Sequence, residues 1–370
     1  MKYWKVASLF AFSLLMIACS SSDNDPDPGI EDNFDRAAML AHWADGLIIP
    51  AYTNYNAALS NLQSDWEGYL DEERVSFEDL RESWHNVYTE WQKVSMFEIG
   101  PAEALNLRNF TNVYPADVNG IEANIQSGDF NLQLPSTNDQ QGFPALDYLF
   151  YGLREASADI EALLLDEQSS GYRDYVTAII TRMAQMGEQV QNEWNNGFRD
   201  SFVSNSGSSA SSSVDKLVND YIFYYEKALR AGKVGIPAGV FSGTPLPNQV
   251  EAFYSRFSNE YLRTALVEAR LFFNGISGPS QSQGPGLTTY LDFLDTERDG
   301  ERLSQLIVQQ FVAAEQALDN LENDFATQIE LDNTAMLMLY DELQKLVVLL
   351  KVDMLQAINV QVDFVDADGD

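Results

Sequence analysis

The sequence predicts an all-α protein built as two antiparallel helical bundles. Three observations point there. Apolar and aromatic residues recur at three- and four-residue spacing over long stretches, the mark of one buried helix face. Polar caps and Gly or Pro punctuate those stretches. Strand candidates are few, with Asn359–Val365 (NVQVDFV) the alternating exception.

In chain order, Leu40, Trp43, Leu47, Ala51, Tyr55, Leu59, Leu62 and Trp66 form the first stripe. Pro50 lies inside it, and its missing amide hydrogen predicts a kink or break. Ser76 and Asp79 have the spacing of a capping box, with Asp in place of the usual Glu or Gln. Phe77, Leu80, Trp84, Val87, Trp91, Val94 and Phe97 follow as one face, and Gly100-Pro101 ends it. Residues 101–142 read as irregular, with a short helix around Asp117–Gln126. Pro144 suits the first turn of the next helix and Gly152 its end. Tyr172–Trp194 predicts a long amphipathic helix. Ser204–Ser213 is a low-complexity Ser-rich stretch that divides an N-terminal bundle, residues 33–203, from a C-terminal one, residues 214–370. A loop inside one domain is the alternative. Val214–Arg230 reads as helix, and the Gly- and Pro-rich residues 231–247 as a loop. Asn248 reads as the cap of a helix over Val250–Phe273. Further helices are expected near 286–296, 300–326 and 331–358.

Composition narrows the function. The 370 residues carry 22 Lys+Arg against 56 Asp+Glu, a net charge of -34. Such a surface repels phosphate backbones, so no nucleic-acid partner is expected. One Cys and two His, at 42 and 85, leave no Cys-based metal site and no His-rich cage. Nor does any phosphate-binding Gly loop or nucleophile elbow occur. The 12% of aromatic residues has two readings, bundle core or a stacking surface for a polysaccharide.

Residues 1–18 join Lys2 and Lys5 to an apolar run and read as a signal peptide. Cys19 ends that run as in a bacterial lipobox, which implies cleavage before it and lipidation of its sulfur. Residues 19–32 are polar, acidic and Pro-containing, a flexible tether. Tethers of this kind resemble the surface-export signals of Bacteroidota lipoproteins. The expectation is a cell-envelope protein anchored to the outer membrane through Cys19, on its periplasmic or its outer face.

The stretch from Ser83 to Gly152 resembles the imelysin family, also known as peptidase M75 or insulin-cleaving membrane proteases. Trp84, Trp91, Phe97-Glu98-Ile99-Gly100-Pro101, Tyr114-Pro115 and Gly142–Gly152 (GFPALDYLFYG) carry the resemblance. Ile49-Pro50-Ala51-Tyr52, Lys233–Phe241 and Glu251 extend it along the chain, and the Asp-rich ending looks like that of Bacteroidota members. The resemblance implies two helical bundles, iron-regulated envelope proteins, suspected peptidase activity and iron uptake. Its signature is Gly-x-His-x-x-Glu. Here Gly142 matches the Gly, Pro144 stands in place of the His, and Asp147 in place of the Glu. Proline neither ligates a metal nor titrates near neutrality, so the motif is degenerate.

Asp147 keeps two readings. One is a ligand-facing carboxylate that, with Glu98, holds iron or another divalent cation. The other is an acid capping the first turn of its own helix. Lys233, a rare cation in this chain, either receives an anion or pairs with Asp147. Gly142, Pro144, Lys233, Glu251 and Glu98 complete the candidate ligand cleft. His42 and His85 read as partly buried structural residues or as surface residues. Asp366–Asp370 (DADGD) reads as a solvated acidic tail, since a calcium loop needs a further Glu. The expected function is a non-catalytic binding protein for iron or haem acquisition, with an outer-membrane uptake partner. A metal-assisted M75-type peptidase and a polysaccharide-binding module are the rivals.

Overall fold

The computed structural model describes residues 33–71, 75–278 and 280–364. The signal segment, Cys19, the whole tether and the DADGD tail lie outside the described residues. The protein is all-α. Helix α1 (Arg36–His42) passes through a π-helical stretch, Trp43–Ile48, into α2 (Ile49–Leu70). The wider turn lets the Ile49 amide reach back to the Ala44 carbonyl. Pro50 then falls in the first turn of α2, where a missing donor costs little, so the chain passes it without a break.

Helix α3 (Phe77–Val94) starts at the expected capping box. The Asp79 N–H donates to Ser76 Oγ at 3.1 Å, and the Ser76 N–H donates to Asp79 Oδ2 at 3.2 Å. A short α4 (Val118–Ser127) is capped by Asp117. Next come α5 (Gly142–Asp147), extended by a π turn over Tyr148–Gly152, and the long α6 (Ser170–Glu193). The Ser-rich stretch is a turn tied by Asn205, whose Nδ2 donates to the Ser211 carbonyl at 2.7 Å. Ser212 caps α7 (Ser213–Phe223). Then follow α8 (Ser258–Phe273), α9 (Leu303–Leu318) and α10 (Phe325–Val347), the last kinked at Asp332.

Several boundaries differ from expectation. The helix begun at α7 does not stop at Arg230. It runs on as a π-helical stretch, Tyr224–Gly235, because its glycines leave the backbone ladder intact and the first missing donor comes at Pro237. Asn248 caps nothing, and α8 starts at Ser258. Ala252 and Arg256 adopt left-handed φ of 55° and 69°, which folds the intervening residues into a turn. The expected terminal strand is absent over residues 359–364. A small hairpin instead pairs Glu297–Arg298 with Glu301–Arg302, turning at Asp299-Gly300, both with positive φ.

Helix α2 packs on α3 and α6, α9 packs on α10, and α3 lies against α8. That last contact joins the helices before the Ser-rich turn to those after it. Aromatic pairs cross the same seam: Trp43–Phe272 at 5.1 Å, Phe97–Phe272 at 5.4 Å and Tyr88–Tyr261 at 4.3 Å between centroids. One apolar core therefore runs through both halves. Trp43, Trp66, Trp84, Trp91 and Trp194 are all buried in it, so among the described residues no Trp offers a stacking surface. No helix among the described residues is long and apolar enough to cross a membrane.

Candidate functional site

Gly142 opens the site because no other residue fits there. Its φ is +70°, and a Cβ would lie 2.1 Å from the Thr111 carbonyl oxygen. Helix α5 begins at this glycine rather than at Pro144, so Asp147 falls in its last turn. The capping reading of Asp147 is thereby overturned. Its carboxylate reaches across to the other half of the chain. Oδ2 accepts the Tyr254 N–H at 2.9 Å, and Oδ1 accepts the Ser255 N–H at 3.0 Å. The left-handed residues Ala252 and Arg256 bracket the turn that presents these two amides. Asp147 is 2% exposed. Burial pushes its carboxyl up to about 6, against the opposing pull of the Ser255 and Tyr254 hydrogen bonds.

A second buried carboxylate, adjacent in sequence to the turn that Asp147 holds, is held differently. Glu251 pairs with Lys233, whose Nζ also donates to Gln92 Oε1 at 2.8 Å. Glu251 Oε1 accepts Asn112 Nδ2 at 2.8 Å and Gln92 Nε2 at 3.2 Å, and the Tyr88 hydroxyl donates to Asn112 Oδ1 at 2.6 Å. Burial pulls the Lys233 ammonium below its ordinary range while Glu251 holds it up. Lys233 is therefore committed to Glu251. It does not pair with Asp147, because Glu251 and Gln92 already hold its ammonium.

Glu98 belongs to a third group. Its Oε1 accepts the Arg108 N–H at 3.0 Å and its Oε2 lies 3.2 Å from Arg108 Nε. Arg108 Nη2 also meets Asp220 Oδ1 at 3.0 Å. Burial raises both carboxyls, and Arg108 opposes it. Glu98 and Asp147 line separate cavities, so the structure does not assemble the metal pair the resemblance implied. Among the described residues no three His, Cys, Asp or Glu side chains converge as a metal-binding group. His42 Nε2 sits 2.8 Å from the Gly275 carbonyl oxygen, and His85 lies between Tyr261 and Glu260, both structural placements.

Asp147 and Pro144 floor a cavity of about 200 Å³, with Tyr114, Val250, Phe253 and Tyr254 around them. Phe253 stands at the rim, 37% exposed. Gly152 makes room for one wall, since a Cβ there would lie 2.4 Å from Tyr254 Cδ1. Sequence reasoning missed Gln92, Asn112 and the Tyr254–Ser255 turn. Only Gln92 carried a signal: it occupies the buried face of α3 four residues after Tyr88. The others depend on contacts between distant segments.

Solved structures share the fold, two of them as follows. One is a candidate iron-regulated protein A precursor from Parabacteroides distasonis ATCC 8503, with TM-score 0.71 and 16% identity over 86% of this chain and 94% of that one. The other is an imelysin-like protein from Psychrobacter arcticus 273-4, with TM-score 0.66 and 17% identity over 89% and 97%. No curated protein sequence matches the chain. The family model for imelysin, peptidase M75, spans residues 48–351, and the chain belongs to the imelysin family.

Proposed function

We propose that this protein is a non-catalytic binding protein of the cell envelope that serves iron acquisition, and that its ligand enters the cavity above Pro144 and Asp147. One observation carries the reading. At the motif, proline replaces the histidine and both oxygens of the remaining carboxylate accept backbone amides. That arrangement holds a turn in place; it offers neither a nitrogen ligand nor a free base for hydrolysis. Family membership and a neighbour described as iron-regulated support the iron assignment. The lipobox-like Cys19 supports the envelope and the outer-membrane anchor. The cavity, about 200 Å³, is smaller than the ~300–1,000 Å³ of sites for drug-sized ligands, which favours a small iron complex over haem.

A thermal-shift screen of the full chain with Fe(II), Fe(III), Zn(II), Ca(II) and haem tests this, with Asp147→Ala and Phe253→Ala alongside. The expected result is a rise in Tm with iron that either substitution reduces; a ligand at a hundred times its Kd adds about 2.7 kcal/mol. No shift with iron or haem overturns the iron reading. Proteolysis that survives repurification and disappears in Asp147→Ala overturns the non-catalytic one.

A further inference from the structure

Several buried acids are compensated by cations, whereas Asp215, held by the Asn219 amide, and Asp147 are not. Glu251 has Lys233, Glu98 and Asp220 share Arg108, and Glu226 has Lys227 and Lys351. Asp147 has no ion-pair partner among the described residues. The Tyr254 and Ser255 amides stabilise its charge, but they are neutral dipoles and leave it uncancelled. This negative charge floors a cavity whose lining contains no Lys or Arg and three aromatic rings, Tyr114, Phe253 and Tyr254. A net charge of -34 on the whole chain draws cations toward such an opening.

The shape of the charge narrows the cation. Each carboxylate oxygen accepts one N–H and keeps one free lone pair, so Asp147 offers its charge more readily than a full set of donor atoms for a metal ion. An alkylated ammonium needs no hydrogen bond, is weakly hydrated, and is attracted to aromatic faces. A cavity of about 200 Å³ admits a head of a few carbons.

We propose that this cavity binds an alkylated ammonium head, with Asp147 as its counter-charge and Tyr114, Phe253 and Tyr254 as its walls. The inference rests on the reading of this cavity as the ligand site and names the chemical class it takes: an alkylammonium, free or carried on a small iron complex.

Titration calorimetry on the full chain tests it with choline chloride and with 3,3-dimethylbutan-1-ol, its neutral isostere. Choline is expected to bind about tenfold more tightly than the alcohol, and Phe253→Ala to weaken choline about tenfold. Asp147→Asn is expected to erase the preference for choline; should that variant fail to fold, Phe253→Ala decides alone. Equal binding of the two compounds, no binding of choline, or an unchanged affinity in Phe253→Ala overturns the proposal. The iron screen separates the two readings. Choline binding without any response to iron sinks the iron reading and leaves this one standing, and the reverse result does the opposite.

Discussion

Two buried carboxylates, Glu251 and Asp147, sit four and one hundred and eight residues from the same Ser255 and live by different rules. Glu251 is closed: a lysine cancels its charge, and two amide side chains occupy one of its oxygens. Asp147 is open: it has dipoles but no counter-charge, and a cavity lies above it. The lesson is that burial of an acid does not by itself mark a site. What separates these two is the opposite charge, which the fold supplies to Glu251 and not to Asp147.

The largest effect should come from opening the closed carboxylate. Lys233→Met leaves Glu251 buried and unpaired, and a loss of about 3–5 kcal/mol in chemical denaturation is expected. A loss under about 1 kcal/mol would show that Gln92 and Asn112 alone suffice, and the contrast with Asp147 would dissolve. Gly142→Ala comes next. Positive φ and the Thr111 carbonyl both oppose a side chain, so about 3 kcal/mol is expected by the same measurement.

The open carboxylate should reveal itself through pH. Its folded value of about 6 stands above the ordinary 3.8, so the folded protein holds this proton more tightly than the unfolded chain. The contribution of Asp147 is fully present below about pH 4 and is lost as pH rises through about 6, roughly 3 kcal/mol in all. Subtracting the profile of Asp147→Asn from that of the native chain isolates the slope. A flat difference across that window would mean that the two amides fully offset the burial. The smallest effect belongs to Phe253→Ala. A rim residue 37% exposed should cost about 1 kcal/mol or less of stability while changing ligand affinity, and a larger cost would make it core.

Much of the fold was legible in the residues because helix signals are local. The stripe from Phe77 to Val94 and the Ser76–Asp79 box act within one or two turns, and the structure has both. Residues 231–235 and 250–257 were misread for the opposite reason, while 236–247 form the loop that was expected. Gly and Pro density suggested a loop where a π-helical stretch continues, and the apolar run after Asn248 suggested a helix where two left-handed residues make a turn. Nothing nearby in sequence dictates that turn; what holds it is Asp147, more than a hundred residues earlier. Gly142 and Asp147 were legible through a family resemblance, but their jobs were not. The glycine answers to the Thr111 backbone and the acid to a distant pair of amides, both of which are facts of packing.

The continuous core has a consequence for how the chain tolerates being cut. A protease that nicks the Ser204–Ser213 turn severs one peptide bond but none of the contacts that cross the seam. Trp43 and Phe97 still embrace Phe272, Gln92 and Asn112 still hold Glu251, and Asp147 still clasps its turn. The two fragments should travel as one particle until denatured. Expressed separately, they should reconstitute the cavity only on meeting, which makes this turn a natural point at which to split the protein into complementing parts.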